Sequence, residues 1–83
     1  MKEKDLAMFI TNNINVNNLT VQMNGNIIIT IFECKSNNPN GPGRNIKLTN
    51  EFIDFLCHNG FDVNKLKTEL MERNIYIMNE NLL

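Results

Sequence analysis

Two alternating segments on either side of an Asn-Gly pair are the feature that most constrains this chain. Leu19–Met23 alternates apolar and polar side chains, as a half-buried strand does, and residues 27–35 form a second, more apolar segment. Asn24-Gly25 between them is the strongest short signal for a β-hairpin. The sequence therefore predicts an antiparallel hairpin.

The register of this hairpin depends on the length of its loop. A two-residue loop at Asn24-Gly25 and a three-residue loop over residues 24–26 give registers that differ by one residue. Only the longer loop places the apolar side chains of both strands on one face, and a slip by one residue would scatter them. Asn also tolerates the left-handed backbone that the longer loop needs. The predicted pairs are Met23 with Ile27, Val21 with Ile29 and Leu19 with Ile31.

The second strand is apolar on its other face as well, through Ile28, Phe32 and Cys34. A strand that is apolar on both faces indicates either a central strand covered on both sides or a face kept for a partner.

Helical spacing predicts a helix on each side of the strands. Residues 2–14 form the first helix, and its inner stripe contains Leu6, Phe9, Ile10 and Ile14. Thr49 or Asn50 caps a second helix that runs to about Asn59, with an inner stripe of Phe52, Ile53, Phe55 and Leu56. Gly60 and Phe61 are expected to end it in a Schellman motif, with Phe61 folded back on Leu56.

Asp62 is expected to cap a third helix over residues 63–73. Its predicted inner face consists of Val63, Leu66, Leu70 and Met71. The charged pairs Lys65–Glu69 and Glu69–Arg73 are expected on its solvent-exposed side. Short alternating segments at residues 45–48 and 75–78 add two strands. The order α-β-β-β-α-α-β predicts an α+β fold, a small three- to four-stranded, mainly antiparallel sheet with helices, in a single domain over residues 1–83.

Composition limits the classes of function. The chain has 83 residues, of which 42% are hydrophobic and 20% charged, as in one folded soluble domain. Eight basic and nine acidic residues leave a net charge of −1, which argues against bulk electrostatic attraction to nucleic acid or to an anionic membrane. No apolar stretch approaches the roughly 20 residues that span a bilayer. Its two cysteines are too few for a secreted disulfide framework, so a cytoplasmic location is expected.

The residues available for catalysis or metal binding are few. The single histidine, His58, follows Cys57 on a predicted helix, where neighbouring side chains point about 100° apart. Cys57 is therefore interpreted as a core or partly buried residue and His58 as a residue at a helix C-terminus. Cys-x2-Cys spacing is missing from the sequence. We expect no enzyme activity, no metal site and no cofactor.

Residues 36–44 are interrupted by proline and glycine and predict a loop of about nine residues, longer than most hairpin connections. The loop is either a plain connector or a recognition element. Lys35, Arg44 and Lys47 flank it and are candidates for a small basic patch. The candidate partner-binding residues are Asn38, Asn40, Arg44, Phe32, Lys35 and Lys47.

The predicted elements over residues 4–61, with a helix at 51–58 that ends in Asn59-Gly60-Phe61, resemble certain small phage-encoded anti-CRISPR inhibitors. The relatives that mimic DNA are strongly acidic, whereas this chain is close to neutral. The resemblance implies a compact, non-enzymatic protein that blocks a host or defence protein by binding it.

Seventeen asparagines and ten isoleucines are typical of a low-GC genome. The resemblance implies a phage or another mobile element as the source, here in a low-GC bacterium. The leading hypothesis is therefore a protein–protein interaction module that inhibits its partner sterically. The alternative is a small regulatory protein that binds nucleic acid through Lys35, Arg44 and Lys47. Formation of a homo-oligomer is left open, and no membrane association is expected.

Overall fold

The computed structural model describes residues 2–16, 18–23, 27–37 and 43–80. It confirms the predicted α+β fold and the order α-β-β-β-α-α-β. The elements are α1 (Glu3–Asn12), β1 (Leu19–Met23), β2 (Ile27–Asn37), β3 (Arg44–Leu48), α2 (Asn50–His58), α3 (Val63–Met71) and β4 (Ile75–Ile77).

The strands form one sheet in the order β1-β2-β3-β4. β2 pairs antiparallel with β1 along its first half and with β3 along its second half. β4 lies parallel to β3, so the sheet is mixed but mainly antiparallel, as predicted. Each half of β2 therefore pairs with a different neighbouring strand.

The hairpin follows the register of the longer loop near its turn. Met23 pairs with Ile27 and Val21 with Ile29, as predicted. The predicted pair of Leu19 with Ile31 is wrong, because a β-bulge between Leu19 and Thr20 pairs Leu19 with Phe32. The turn residues 24–26 lie outside the described residues.

The bulge changes which side chains of β2 reach the core. Successive residues of a regular strand point to opposite faces, yet Ile31 and Phe32 are both 0% exposed. Ile31 is the extra residue opposite β1, so the alternation is interrupted there and both side chains turn inward. The prediction that Phe32 binds a partner is therefore wrong.

All three helices pack on one side of the sheet, where their buried side chains join the inward side chains of the strands in one core. The fully buried members with the largest side chains are Phe32, Phe52, Leu6, Ile10, Ile31, Ile46, Leu48, Leu56, Leu66, Leu70 and Ile75. Two predicted core residues are wrong: Phe9 is 38% exposed and Met71 is also exposed. Each lies one residue beside a buried position, so the inner stripes of α1 and α3 are narrower than predicted.

Both ends of α2 follow their local sequence. The Thr49 side chain caps the helix by accepting a hydrogen bond from the Phe52 N–H, with 3.2 Å between the atoms. Gly60 has a left-handed φ of 76°, and the Phe61 N–H donates to the Leu56 carbonyl oxygen at 2.9 Å. This is the predicted Schellman motif.

The start of α3 is tied to α1. Asp62 caps α3 by accepting from the N–H groups of Asn64 and Lys65. The Glu3 carboxylate accepts from the Asp62 N–H at 2.8 Å and lies 3.9 Å from the Lys65 ammonium. The predicted Lys65–Glu69 pair is therefore wrong, since Lys65 reaches across to α1. The predicted Glu69–Arg73 pair is confirmed at 3.3 Å.

Candidate partner-binding surface

The side of the sheet opposite the helices carries exposed and half-buried side chains. Strand alternation places Ile46 and Leu48 of β3 in the core and Asn45 and Lys47 on this opposite side. We call it the outer face. Its described residues are Thr20, Gln22, Ile28, Thr30, Asn45, Lys47, Tyr76 and Met78.

Two apolar side chains stand out on the outer face. Ile28 is 67% exposed, and Met78, just beyond β4, is 43% exposed. The outer face also carries polar groups, including the Thr20 and Thr30 hydroxyls, which are 2.9 Å apart and hydrogen-bonded. Of the predicted apolar face of β2, Ile28 is left uncovered by the helices and Phe32 is in the core, whereas the side chain of Cys34 lies outside the described part of the chain.

The predicted basic patch does not form as one surface. Lys47 is exposed on the outer face. Arg44 is half-buried and shares the parity of Ile46 and Leu48, which places it on the opposite side of β3. Arg44 and Lys47 are three residues apart on β3, and side chains at this spacing point to opposite faces of a strand. The two basic side chains therefore do not form one patch.

The predicted loop over residues 36–44 is shorter than expected. β2 continues through Ser36 and Asn37, which pair with Asn45 and Arg44 of β3. Residues 38–42, including the candidates Asn38 and Asn40, lie outside the described residues. For Lys35 the structure describes only its main-chain pairing with Ile46. The roles of these three residues stay predictions.

A groove of about 510 Å³ lies at the edge of the outer face. It is located where β3 leads into α2 and where the chain leaves β4. Lys47 and Glu80 give it one positive and one negative side chain, and Met78 gives it an apolar wall. The remaining lining residues are Asn50 and Asn79.

Asn79 holds the floor of this groove in place. Its side chain is buried and bonds both main-chain groups of Leu48: Nδ2 donates to the carbonyl oxygen at 2.9 Å, and Oδ1 accepts from the N–H at 2.8 Å. The side-chain amide of Asn79 therefore pairs with Leu48 of β3 as the main chain of a further β4 residue would. Met78 is fixed likewise, since its N–H donates to the Ile46 carbonyl oxygen at 2.8 Å.

Sequence reasoning missed Tyr76, Met78 and Asn79. The alternation of residues 75–78 already separates an inner from an outer side. It does not reveal that β4 lies next to β3, and this pairing is what brings Met78 beside Lys47.

The described residues supply no metal site: they contain no group of three or more His, Cys, Asp or Glu side chains placed to hold an ion. Cys57 is exposed, so its predicted partial burial is wrong. His58 Nδ1 lies 2.7 Å from the Asp54 carbonyl oxygen, one turn back on the same helix. No helix in the described ranges has the length and apolar character needed to cross a membrane.

Comparisons with protein-family models, with curated proteins and with solved structures find no match to this chain. The fold and the outer face are therefore the structural basis for a functional proposal.

Proposed function

We propose that this chain is a small, non-enzymatic protein–protein interaction module whose outer face binds a host or defence protein. The mechanism is steric: the bound module covers a working surface of its partner. The anti-CRISPR-like resemblance of the sequence supports a phage or mobile-element inhibitor that acts in the cytoplasm.

Ile28 is the observation that carries this proposal. Its side chain is 67% exposed near the start of β2, on the side of the sheet away from the helices. Burying an isoleucine contributes roughly 1.5–3 kcal/mol relative to leaving it in water. A partner surface that covers the exposed part of Ile28 gains a share of this free energy.

The charges near the outer face fit a protein partner better than a polyanion. Lys47 and Glu80 line the same groove with opposite signs. Arg44 lies on the other side of β3, so two of the three residues of the predicted nucleic-acid patch do not converge. The net charge of −1 adds no general attraction to phosphate.

The test compares capture of proteins from host lysate by the wild-type chain and by two variants. Ile28→Lys is expected to weaken capture of the specific partner at least tenfold, about 1.4 kcal/mol. Met71→Lys is the matched control, because Met71 is also exposed but lies on α3. Equal capture by all three proteins would contradict the proposal.

Two further measurements separate the alternatives. Binding to nucleic acid would weaken steeply with added salt, whereas an apolar protein interface would not. Replacement of residues 38–42 by an Asn-Gly turn tests the loop candidates Asn38 and Asn40. If the shortened chain stays folded and captures its partner fully, the loop is a connector.

A further inference from the structure

β1 is an edge strand of the sheet, and among the described elements it pairs only with β2. The directions in which the main-chain N–H and C=O groups of β1 point follow from those of its neighbour β2. The Thr30 N–H donates to Glu51 and the Thr30 carbonyl oxygen accepts from the Thr49 hydroxyl, so both groups of Thr30 point away from β1. Thr20 and Thr30 are opposite each other and therefore form a non-hydrogen-bonded pair. The main-chain groups of Thr20 consequently point outward from the sheet edge.

The five residues of β1 lack two of the usual features that prevent edge strands from pairing with other chains. Natural edge strands are protected by charged side chains, prolines or bulges in the edge itself. Leu19–Met23 has the sequence Leu-Thr-Val-Gln-Met, with neither a charge nor a proline. The extra residue of the bulge, Ile31, belongs to β2, so Thr20 to Met23 stay in regular register.

The strand is also complementary to itself. When two copies of β1 run antiparallel about Val21, apolar residues face apolar residues and hydrogen-bonding residues face each other. The resulting pairs are Leu19 with Met23 of the second copy, Thr20 with Gln22 of the second copy, and Val21 with Val21 of the second copy. Val21 lies opposite Ile29 in the hydrogen-bonded position of its own sheet, so the centre of the new pair is a non-hydrogen-bonded one, as the alternation requires.

We infer that this chain forms a two-fold symmetric dimer through antiparallel pairing of its β1 edges, centred on Val21. The two four-stranded sheets become one continuous sheet of eight strands. The symmetry axis of an antiparallel pair is perpendicular to the sheet, so the helices of both copies lie on the same side. The two outer faces then form one surface of doubled area. The half-buried side chain of Val21 gains a contact at the axis.

Charge substitutions on β1 test both the dimer and its register. In this register, Thr20→Lys with Gln22→Lys places two lysines opposite two lysines across the dimer axis. Like charges directly opposite on neighbouring strands are destabilising. Thr20→Lys with Gln22→Glu instead places each lysine opposite a glutamate of the second copy. Both positions are exposed in the monomer, and both double variants lose the hydrogen bond between the Thr20 and Thr30 hydroxyls, so they differ only in the charge at position 22.

The measurement is sedimentation equilibrium over a concentration series, with circular dichroism to confirm that each variant is folded. The wild-type mass is expected to rise from 9.6 kDa towards twice that value. The Lys/Lys variant is expected to dimerise at least tenfold more weakly, and the Lys/Glu variant to return close to wild type. Asn64→Lys with Thr68→Lys, at exposed positions of α3, is the control for added charge and is expected to dimerise like wild type.

Three results would overturn the inference. A wild-type chain that stays at 9.6 kDa throughout the series has no dimer. Equal dimerisation of the Lys/Lys variant and wild type would place the contact elsewhere. Failure of the Lys/Glu variant to recover would exclude the register centred on Val21. The proposed inhibitory function is unaffected by each of these results, since Ile28 lies on the outer face and not on the edge.

Discussion

Glu51 on α2 accepts a hydrogen bond from the main-chain N–H of Thr30 on β2, with 2.8 Å between Oε1 and the nitrogen. The Thr49 hydroxyl donates to the Thr30 carbonyl oxygen, and the Thr49 N–H donates to the Ile31 carbonyl oxygen at 3.1 Å. β3 pairs with β2 only from Phe32 onward. Thr49 and Glu51, at the start of α2, therefore bond to the main chain of β2 where β3 does not pair with it. These bonds position the helix against the hairpin.

Glu51→Ala should lower the free energy of unfolding by about 1 kcal/mol, because it removes the acceptor of an exposed N–H group. Glu51→Gln keeps an oxygen acceptor and should lose less. Asp54→Ala, one turn further along α2 and also exposed, is the control. Urea titration of the three variants measures the differences. Equal losses for Glu51→Ala and Asp54→Ala would show that the contact with Thr30 does not stabilise the fold.

Phe52→Ala and Ile29→Ala should each lower the free energy of unfolding by about 2–5 kcal/mol, since both side chains are buried in the core shared by α2 and β2. Phe9→Ala is the control, because Phe9 is partly exposed on α1, and should cost less than half as much. Chemical denaturation provides the measurement. A change below about 0.5 kcal/mol at both core positions would contradict the packing.

Most of the fold was predictable because its signals are local. The cap at Thr49, the stop at Gly60 and the alternation of Leu19–Met23 each depend on a few adjacent residues. The burial of Phe32 was not predictable, because it depends on a bulge whose position is set by the partner strand. No pattern in β2 alone separates Phe32 from Ile28, although one is in the core and the other is exposed.

The candidate surface was less predictable than the fold. Lys47 was identified from its place beside the loop, and the structure leaves it exposed. Its neighbours Met78 and Glu80 lie more than thirty positions away in the sequence and reach Lys47 only because β4 adds to β3 in parallel. Parallel pairing requires a crossover through α2 and α3, and its register depends on packing of the whole domain.

Gly43→Ala should destabilise the fold by about 2–4 kcal/mol, from backbone strain together with overpacking. Gly43 has φ 131°, and an added Cβ would lie 2.7 Å from the Asn74 carbonyl oxygen and 2.9 Å from a ring carbon of Tyr76. Gly60→Ala is the matched control: its φ is also positive, at 76°, but no heavy atom lies within 4 Å. It should lose only about 1 kcal/mol from the left-handed backbone. Similar losses at the two glycines would rule out the close contact with Asn74.

Asn79→Ala should lower the free energy of unfolding by about 2–4 kcal/mol, because it leaves two buried main-chain groups of Leu48 without their partner. Asn45→Ala, at a half-buried position of the outer face, is the control and should cost less than about 1 kcal/mol. Thermal unfolding of both variants gives the comparison. If Asn79→Ala is the milder change, the amide does not hold the chain beside β3.

Glu3→Gln should remove part of the acid sensitivity of this fold. The hydrogen bond from the Asp62 N–H, supported by the nearby Lys65 ammonium, holds the pKa of Glu3 below its ordinary value. The unfolded chain therefore binds more protons at this residue than the folded chain does between the two pKa values. The stabilisation from Glu3 is fully present above the ordinary glutamate pKa of about 4.3 and is lost as the pH falls through the folded pKa.

Urea titrations at a series of pH values between neutral and strongly acidic compare Glu3→Gln with wild type. At neutral pH the wild-type chain should be the more stable, because only the carboxylate pairs with Lys65 and accepts a charge-assisted bond from Asp62. The difference should shrink steadily as Glu3 becomes protonated at low pH. Glu72→Gln, at an exposed position just after α3, controls for the removal of one acidic residue. A difference between Glu3→Gln and wild type that is the same at every pH would show that the Glu3 side chain acts through its shape and not through its charge.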